Sequence, residues 1–170
     1  CINFAKRKEI DWGERDRELA AICDKYRGSK PYDCLIPVSG GKDSHRLVHI
    51  MKEEMGMNPL LITVSDSFTH TKAGLHNIRN LITRYNCNHW QYTISHDLFI
   101  RATQAAFEGT GEALAFVEFA IYCVPFMLAQ KLGIGLITFG EHSGYEYGSK
   151  KEDWPTAGNL DILAMLEKIL

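Results

Sequence analysis

The chain has 170 residues, 45% of them hydrophobic and 24% charged, which is enough for one soluble domain with a full core. Its 19 Lys+Arg and 21 Asp+Glu give a net charge of −2, so nucleic acid is not an expected partner. No apolar run reaches the ~20 residues that span a bilayer, no signal peptide is visible at the start, and the five cysteines are odd in number and widely spaced. We therefore expect reduced cysteines and a cytoplasmic protein that binds no membrane.

Residues 1–33 are predicted to form a lead-in region without chemistry of its own. Asp11 is a predicted N-cap, with Glu14 reaching back as in a capping box, and the helix should run to about Arg27. A turn-rich link, Gly28 to Asp33, then enters the next segment.

The segment Cys34–Val38 is short and apolar, which predicts a buried parallel strand. Leu47, Met51 and Met55 lie four residues apart, which predicts a helix from Ser44 to Met55 that Gly56 stops. Between strand and helix lies the loop Ser39-Gly40-Gly41-Lys42-Asp43-Ser44.

Strands and helices alternate along the rest of the chain. An α/β fold is therefore expected, doubly wound around a mostly parallel sheet, with helices on both faces. Pro125 should kink or divide the last of the helices. The predicted elements are strand Leu60–Val64, helix Leu75–Tyr85, strand Trp90–Ile94, helix Asp97–Phe107, the apolar helical run Glu112–Leu132 and strand Ile134–Phe139.

The loop has the features of an anion site. Its two glycines lack a Cβ, so the backbone can turn tightly and approach an oxyanion. The first amides of the following helix lack intrahelical partners and would point at that anion. Ser39 and Ser44 add hydroxyls, and Lys42 adds a point charge suited to phosphate.

Two common phosphate motifs do not fit this loop. A mononucleotide P-loop would need Gly at Ile36 and Ser or Thr at Asp43, and the dinucleotide fingerprint Gly-x-Gly-x-x-Gly is absent. The loop instead resembles the Ser-Gly-Gly-x-Asp-Ser motif of the PP-loop ATP pyrophosphatases. That resemblance implies cleavage of ATP between the α and β phosphates. The alternative is a glycine turn without a ligand.

In a doubly wound sheet, ligands lie beyond the carboxyl ends of the strands where the strand order reverses. If the first strand neighbours both the second and the fourth, Gly140-Glu141-His142 faces the loop, and Val64 to Ser67 lies near the nucleotide. Asp43 is expected to hold Mg²⁺ against the phosphates, with helix capping as the alternative. Glu141 would hold Mg²⁺ or orient the acceptor, or is an acid on a solvated turn.

Histidines and cysteines give weaker signals. His45 and His49 have the four-residue spacing of a metal pair, but Arg46 stands where a zinc protease needs Glu, so packing or phosphate contact is favoured. No Cys-x-x-Cys pair exists, and Cys34 opens a buried strand, which favours a core role over a nucleophilic one.

A longer pattern resembles the N-acetyl sugar amidotransferase family of bacterial surface-polysaccharide biosynthesis, within the PP-loop superfamily. The matching residues are Cys1, Lys8–Trp12, Tyr32–Ser44, Asn58–Leu61, Asn77, Asn80, Leu81, Gly140, Glu141 and Glu146–Gly148.

The resemblance implies that ATP adenylates an acetamido carbonyl of a nucleotide-linked sugar. Ammonia from a partner glutaminase then gives an acetamidino group, AMP and pyrophosphate. It implies Lys42, Asp43 and Glu141 as catalytic residues, and a structural zinc involving Cys1 in the full-length protein. It also implies the following nucleotide-binding residues: Ser39, Gly40, Gly41, Lys42, Asp43, Ser44, Val64 and Gly140.

The resemblance also divides the chain. Residues 34–150 would be the PP-loop ATP-binding domain, and residues 151–170 the helical start of a further region, since the family continues beyond residue 170. The first residue is Cys1 and not Met, so we expect a fragment or a processed chain. His142 departs from the family's usual Asn, and the family's Cys/His cluster before the apolar helix is replaced by Ala115–Phe119. Two other functions stay open: a tRNA-modifying PP-loop enzyme, for thiolation or lysidine formation, and a non-catalytic ATP-binding module.

Overall fold

The computed structural model describes residues 10–28, 30–66 and 71–141. The helix that follows the glycine loop, Lys42–His49, continues into a π-helical turn, Ile50–Glu54. The predicted tail 151–170 lies outside the described residues. The helices are α1 (Trp12–Tyr26), α2 (Lys42–His49), α3 (Lys72–Tyr85), α4 (His96–Thr110) and α5 (Ala115–Leu132), and the strands are β1 (Cys34–Pro37), β2 (Pro59–Ser65) and β3 (Asn88–Thr93).

The three strands form one parallel sheet in the order β1-β2-β3. The predicted fourth strand, Ile134–Phe139, is reduced to a single parallel bridge between Leu35 and Ile137. Two backbone hydrogen bonds make this bridge, from Leu35 N–H to Leu136 O at 2.9 Å and from Thr138 N–H to Leu35 O at 3.0 Å. Pairing over so few residues is too short for a strand, but it places this segment beside β1, on the side opposite β2, as predicted.

Two hydrophobic clusters lie on opposite faces of the sheet, because successive strand residues point to opposite sides. Cys34 and Ile36 of β1 pack with Val48 of α2 and Leu81 of α3. Leu35, between them, packs instead with residues of α5, namely Val124, Leu128 and Ala129. The expected α/β fold with helices on both faces is therefore confirmed.

Several predicted helix ends are confirmed. The Asp11 carboxylate accepts from Glu14 N–H at 3.0 Å and caps α1. Gly56 and Gly133 follow their helices with φ of +62° and +65°, values that favour glycine. Helix α4 extends past the predicted end at Phe107 and stops at Gly111, whose φ is +78°.

Helix α5 runs through Pro125 without a division, so one of the two predicted effects of this residue is absent. Pro125 is buried within the helix, and packing of its neighbours on the sheet offsets the missing N–H.

Among the described residues, α5 is also the one helix long and apolar enough to cross a membrane. Core helices of soluble proteins share that composition, and about one third of α5 is buried here.

The amino edge of the sheet is held together by Asp33, a buried carboxylate that precedes β1. It accepts from Gly28 N–H at 2.6 Å and from Asn58 N–H at 2.7 Å. The end of α1 and the start of β2 are thereby tied to β1. The candidate site lies at the opposite, carboxyl edge of the sheet.

Candidate active site

The loop after β1 is closed by its own serines. Ser39 N–H donates to Ser44 Oγ at 3.0 Å, and the two Oγ atoms are 3.3 Å apart. Gly41 N–H also points at Ser39 Oγ, at 3.4 Å. Ser44 is buried, so its hydroxyl is fixed in place. The loop therefore has one defined shape before any ligand binds.

The two glycines have different roles in the loop. Gly40 has φ +78°, and a Cβ there would lie 2.8 Å from Ile78 Cγ1 and 3.1 Å from Ile78 N. Close packing against α3 therefore requires glycine at this position. Gly41 has φ −73° and ψ 173°, which any residue adopts, and it lines the cavity above the loop.

Helix α2 begins at the cavity with Gly41 as its N-cap, and no side chain caps it. Its first amides therefore lack a side-chain acceptor from the cap, as an anion site requires. Helix α3 also begins at the cavity, where Thr71 and Gly74 line it, but Thr71 Oγ1 already accepts from Gly74 N–H at 3.0 Å. The start of α2 is thus the better-placed of the two for a phosphate.

The cavity has a volume of about 390 Å³ and lies over the carboxyl ends of β1 and β2. Val64, Gly140 and Glu141 line it together with the loop, as the predicted strand order requires. A Cβ at Gly140 would lie 3.9 Å from Asp43 O, so this segment abuts the start of α2. Ser67 and His142, predicted for the same crevice, lie outside the described residues, as do Glu146 to Gly148.

Two carboxylates, Asp43 and Glu141, are the charged side chains that line this cavity among the described residues. Asp43 Oδ2 is 2.6 Å from Lys42 Nζ, and both side chains are largely exposed, at 67% and 88%. No group of three or more His, Cys, Asp or Glu within the described ranges could hold a metal alone. Two carboxylates nevertheless fit Mg²⁺, which usually takes its other ligands from substrate phosphates and water.

Residues proposed for a different chemistry stay apart from this cavity. His49 Nε2 lies 3.5 Å from Glu54 and its ring packs near Tyr85, which agrees with packing rather than metal binding. Cys34 is fully buried, and burial raises the pKa of its thiol to about 12. Cys34 is therefore a core residue, as expected. Cys1, implied as a zinc ligand, lies outside the described part of the chain.

A hydrogen-bond network of Val38, Thr63 and His89 supports the loop from the side of β2 and β3. Thr63 Oγ1 donates to Val38 O at 2.9 Å and lies 2.8 Å from His89 Nε2. Since the hydroxyl proton goes to Val38, His89 must donate its Nε2–H to Thr63. Burial lowers the pKa of His89, which agrees with a neutral ring. The network joins β3 and β2 to the residue that directly precedes Ser39.

Sequence reasoning missed four residues around the site. Thr63 could have been found as a hydroxyl in an otherwise apolar buried strand. His89, Tyr122 and Phe139 carry no local signal, because their roles depend on contacts with distant segments.

No protein-family model and no curated protein matches this sequence. Solved structures do match it. One is an NH3-dependent NAD synthetase from Campylobacter jejuni subsp. jejuni in complex with the nitrate ion, with a TM-score of 0.60, 16% identity, and coverage of 79% of this chain and 58% of that chain.

Two further solved structures also match this chain. An NMN synthetase from Francisella tularensis has a TM-score of 0.53 and 18% identity, with 74% of this chain and 50% of that chain covered. A glutamine-dependent NAD+ synthetase from Acinetobacter baumannii in complex with adenosine diphosphate has a TM-score of 0.56 and 16% identity, with 71% and 23% covered.

At these identities the likeness establishes the fold. The chain has the α/β adenine-nucleotide alpha-hydrolase-like fold, which it shares with these synthetases. It spans 58% and 50% of the length of the first two matching structures.

Proposed function

We propose that this chain is the ATP-binding part of an ATP-dependent amidotransferase that acts on an acetamido nucleotide sugar in bacterial surface-polysaccharide biosynthesis. The observation that carries the proposal is the Ser39–Ser44 loop, closed by its own hydroxyls, with Gly41 and the uncapped start of α2 facing the cavity. The solved structures with this fold include an NAD+ synthetase in complex with adenosine diphosphate. The proposed setting is the cytoplasm.

The loop would bind the β and γ phosphates of ATP. Backbone amides of the first turn of α2 would donate to phosphate oxygens, with Ser39 and Ser44 hydroxyls beside them. Lys42 would leave its contact with Asp43 and face the triphosphate. The adenosine would extend toward Val64 at the end of β2.

Asp43, with Glu141 across the same cavity, would hold Mg²⁺, which would neutralise charge on the leaving pyrophosphate. The acetamido oxygen of the sugar would attack the α-phosphorus in line, and the bond to pyrophosphate would break. Ammonia from a glutaminase partner would then attack the activated carbon, and AMP would leave with the oxygen. Because the loop already has its shape, its main contribution would be positioning and charge neutralisation.

Product analysis with labelled ATP tests this proposal on the full-length protein and its glutaminase. With ammonia and a panel of acetamido nucleotide sugars, we expect acceptor-dependent AMP and pyrophosphate. ADP as the major acceptor-dependent product would contradict the pyrophosphatase chemistry. Pyrophosphate release that depends on tRNA instead of a sugar would favour the tRNA-modifying alternative, and ATP binding without any acceptor-dependent release would favour a binding module.

A further inference from the structure

The cavity extends beyond the phosphate loop to a surface built from aromatic rings. Ile121 and Tyr122 of α5 and Phe139 line this part. The Tyr122 and Phe139 rings have centroids 5.3 Å apart, and Phe126 lies 6.1 Å from Phe139. Tyr122 and Phe139, which line the cavity, and Phe126, which packs against Phe139, are called the aromatic wall below.

The aromatic wall lies on the side of the loop away from the predicted adenosine position. Val64 belongs to β2, on one side of β1, whereas Phe139 follows the bridge at Ile137, on the other side of β1. The residue after Phe139, Gly140, abuts α2, with its would-be Cβ 3.7 Å from Leu47. A nucleotide that runs from the loop toward Val64 would therefore leave the aromatic wall uncovered.

Charge limits what can lie against this wall. The three wall residues are uncharged, and the charged side chains that line the cavity within the described residues are the carboxylates Asp43 and Glu141. Within the part of the chain that the structure describes, no cation lines the cavity to compensate an anionic group at the wall. An uncharged group that presents a flat, apolar face to the rings therefore fits this wall best.

We infer that the aromatic wall is the acceptor subsite, and that it binds the pyranose ring of the acetamido sugar through the ring's apolar C–H face. The inference rests on the proposed function. The C–H groups of a pyranose carry a slight positive charge and fit the negative face of an aromatic ring. The wall, Glu141 and the phosphate loop line one cavity, so the acetamido group of a sugar stacked there can reach the loop.

A nucleobase is the competing occupant and fits less well. The reacting acetamido group is attached directly to the pyranose, so the pyranose must lie next to the α-phosphorus of ATP. The base of the same substrate is separated from that ring by a diphosphate and a ribose. The base therefore lies farther from the loop than the pyranose does.

Replacing one aromatic side chain of the wall at a time tests whether the wall binds the acceptor and not ATP. The probe is UDP-N-acetylglucosamine, titrated calorimetrically into the full-length protein saturated with α,β-methylene-ATP. We expect Phe139→Leu to weaken sugar-nucleotide binding about 2- to 10-fold, as loss of one aromatic contact would, and Phe126→Leu to weaken it less, through the packing of Phe139. Affinity for the ATP analogue should stay within about twofold, since neither ring lies on the nucleotide side.

Two variants serve as controls. Met127→Ala alters an exposed apolar residue of the same helix next to Phe126, and should leave sugar-nucleotide binding unchanged. Phe139→Tyr keeps the ring and should retain most of the affinity. Phe126 is 49% exposed, so its substitution should not compromise folding even if Phe139→Leu does.

Saturation-transfer NMR identifies which ring is bound. Irradiation of protein aromatic protons should saturate the pyranose protons of the probe more strongly than the uracil protons, and Phe139→Leu should remove that preference. Stronger uracil saturation, or equal losses for the probe and the ATP analogue, would overturn the inference. If wild type binds the ATP analogue but not the probe, the acceptor subsite is refuted while the nucleotide site stands. Failure to bind the analogue would instead refute the proposed function.

Discussion

At the scale of single residues, the two loop glycines show how one motif combines two requirements. Gly40 is required by its positive φ and by contact with Ile78, and both are properties of the folded backbone. Gly41 is required only if something occupies the cavity, because its own dihedrals are ordinary. Substitution at these neighbouring positions should therefore separate a folding defect from a binding defect.

Gly41→Val should abolish ATP binding and leave the protein folded. The branched side chain would extend into the cavity where the phosphates are expected, and the backbone can accept it without strain. Isothermal titration and circular dichroism measure the two effects. Gly40→Ala is the matched control and should lower the melting temperature instead, by forcing a Cβ against Ile78. Full ATP affinity in folded Gly41→Val would argue against phosphate at this position.

Lys42→Ala should weaken ATP binding about 10- to 150-fold, the loss that follows removal of a charge-assisted contact of about 1.5–3 kcal/mol. The side chain is 88% exposed, so folding should be unaffected. Calorimetry with ATP and Mg²⁺ provides the measurement, and Lys131→Ala, on the last turn of α5, is the control. Unchanged affinity would mean that Lys42 stays with Asp43 when ATP binds.

At the scale of structural elements, the loop depends on all three strands. Val38 N–H donates to Ile62 O at 2.8 Å, and Val38 O accepts from Thr63, whose hydroxyl is in turn held by His89 of β3. The carboxyl end of β1 is therefore fixed from the side of β2 and β3. A substitution that breaks the hydrogen bonds of Val38 should therefore also shift Ser39, the next residue along the chain.

Thr63→Val should destabilise the fold by about 1–3 kcal/mol, because it leaves the buried Val38 carbonyl and the His89 N–H without their partner. Urea unfolding gives the free energy, and ATP titration shows whether the loop loses its shape as well. Thr63→Ser keeps the hydroxyl and is expected to stay much closer to wild type. Equal stability of the Val and Ser variants would contradict this role of the network.

At the scale of the whole molecule, His89 links stability to pH. Burial lowers the pKa of His89 in the folded state below its ordinary value of 6.5. Below pH 6.5 the unfolded chain therefore binds this proton first, so acid favours unfolding until the pH falls past the folded pKa. Above 6.5 the ring is neutral in both states and makes no pH-dependent contribution.

The stability of wild type relative to His89→Gln should therefore be constant above about pH 7 and should fall as the pH drops below 6.5. Glutamine can still donate to Thr63 but does not titrate, so the difference between the two proteins cancels other ionisable groups. Urea unfolding at a series of pH values between about 4.5 and 8 measures it. A difference that does not vary with pH would show that His89 is not buried as a neutral ring.

Local patterns were sufficient to predict most of the framework. Caps and breakers such as Asp11, Gly56 and Gly133 act within one turn of a helix, and the apolar run before Ser39 required a buried strand. The segment around Ile137 has the composition of a strand, yet β1 pairs with it at one position only. Strand pairing depends on a distant partner, and composition does not report how long that pairing is.

The candidate site, like the fold, has features that could be predicted from the sequence and features that could not. The position of Asp43, Val64, Gly140 and Glu141 around one cavity follows from strand order, and was predictable. The Thr63–His89 contact joins residues 26 positions apart, and the contact of Lys42 with Asp43 reflects a choice among rotamers. Neither leaves a periodic signal in the sequence, because each depends on side-chain geometry in the folded state.

The two hydrophobic clusters divide the core of this chain into two parts that share no residue. Helix α5 rests on the cluster around Leu35, and the helices that support the loop rest on the cluster around Cys34 and Ile36. Clusters without shared members should respond additively, so that the energetic effects of Val48→Ala and Leu128→Ala sum in the double variant. Substitutions in α5 that reshape the cavity surface should therefore leave the packing beneath Ser39–Ser44 unchanged.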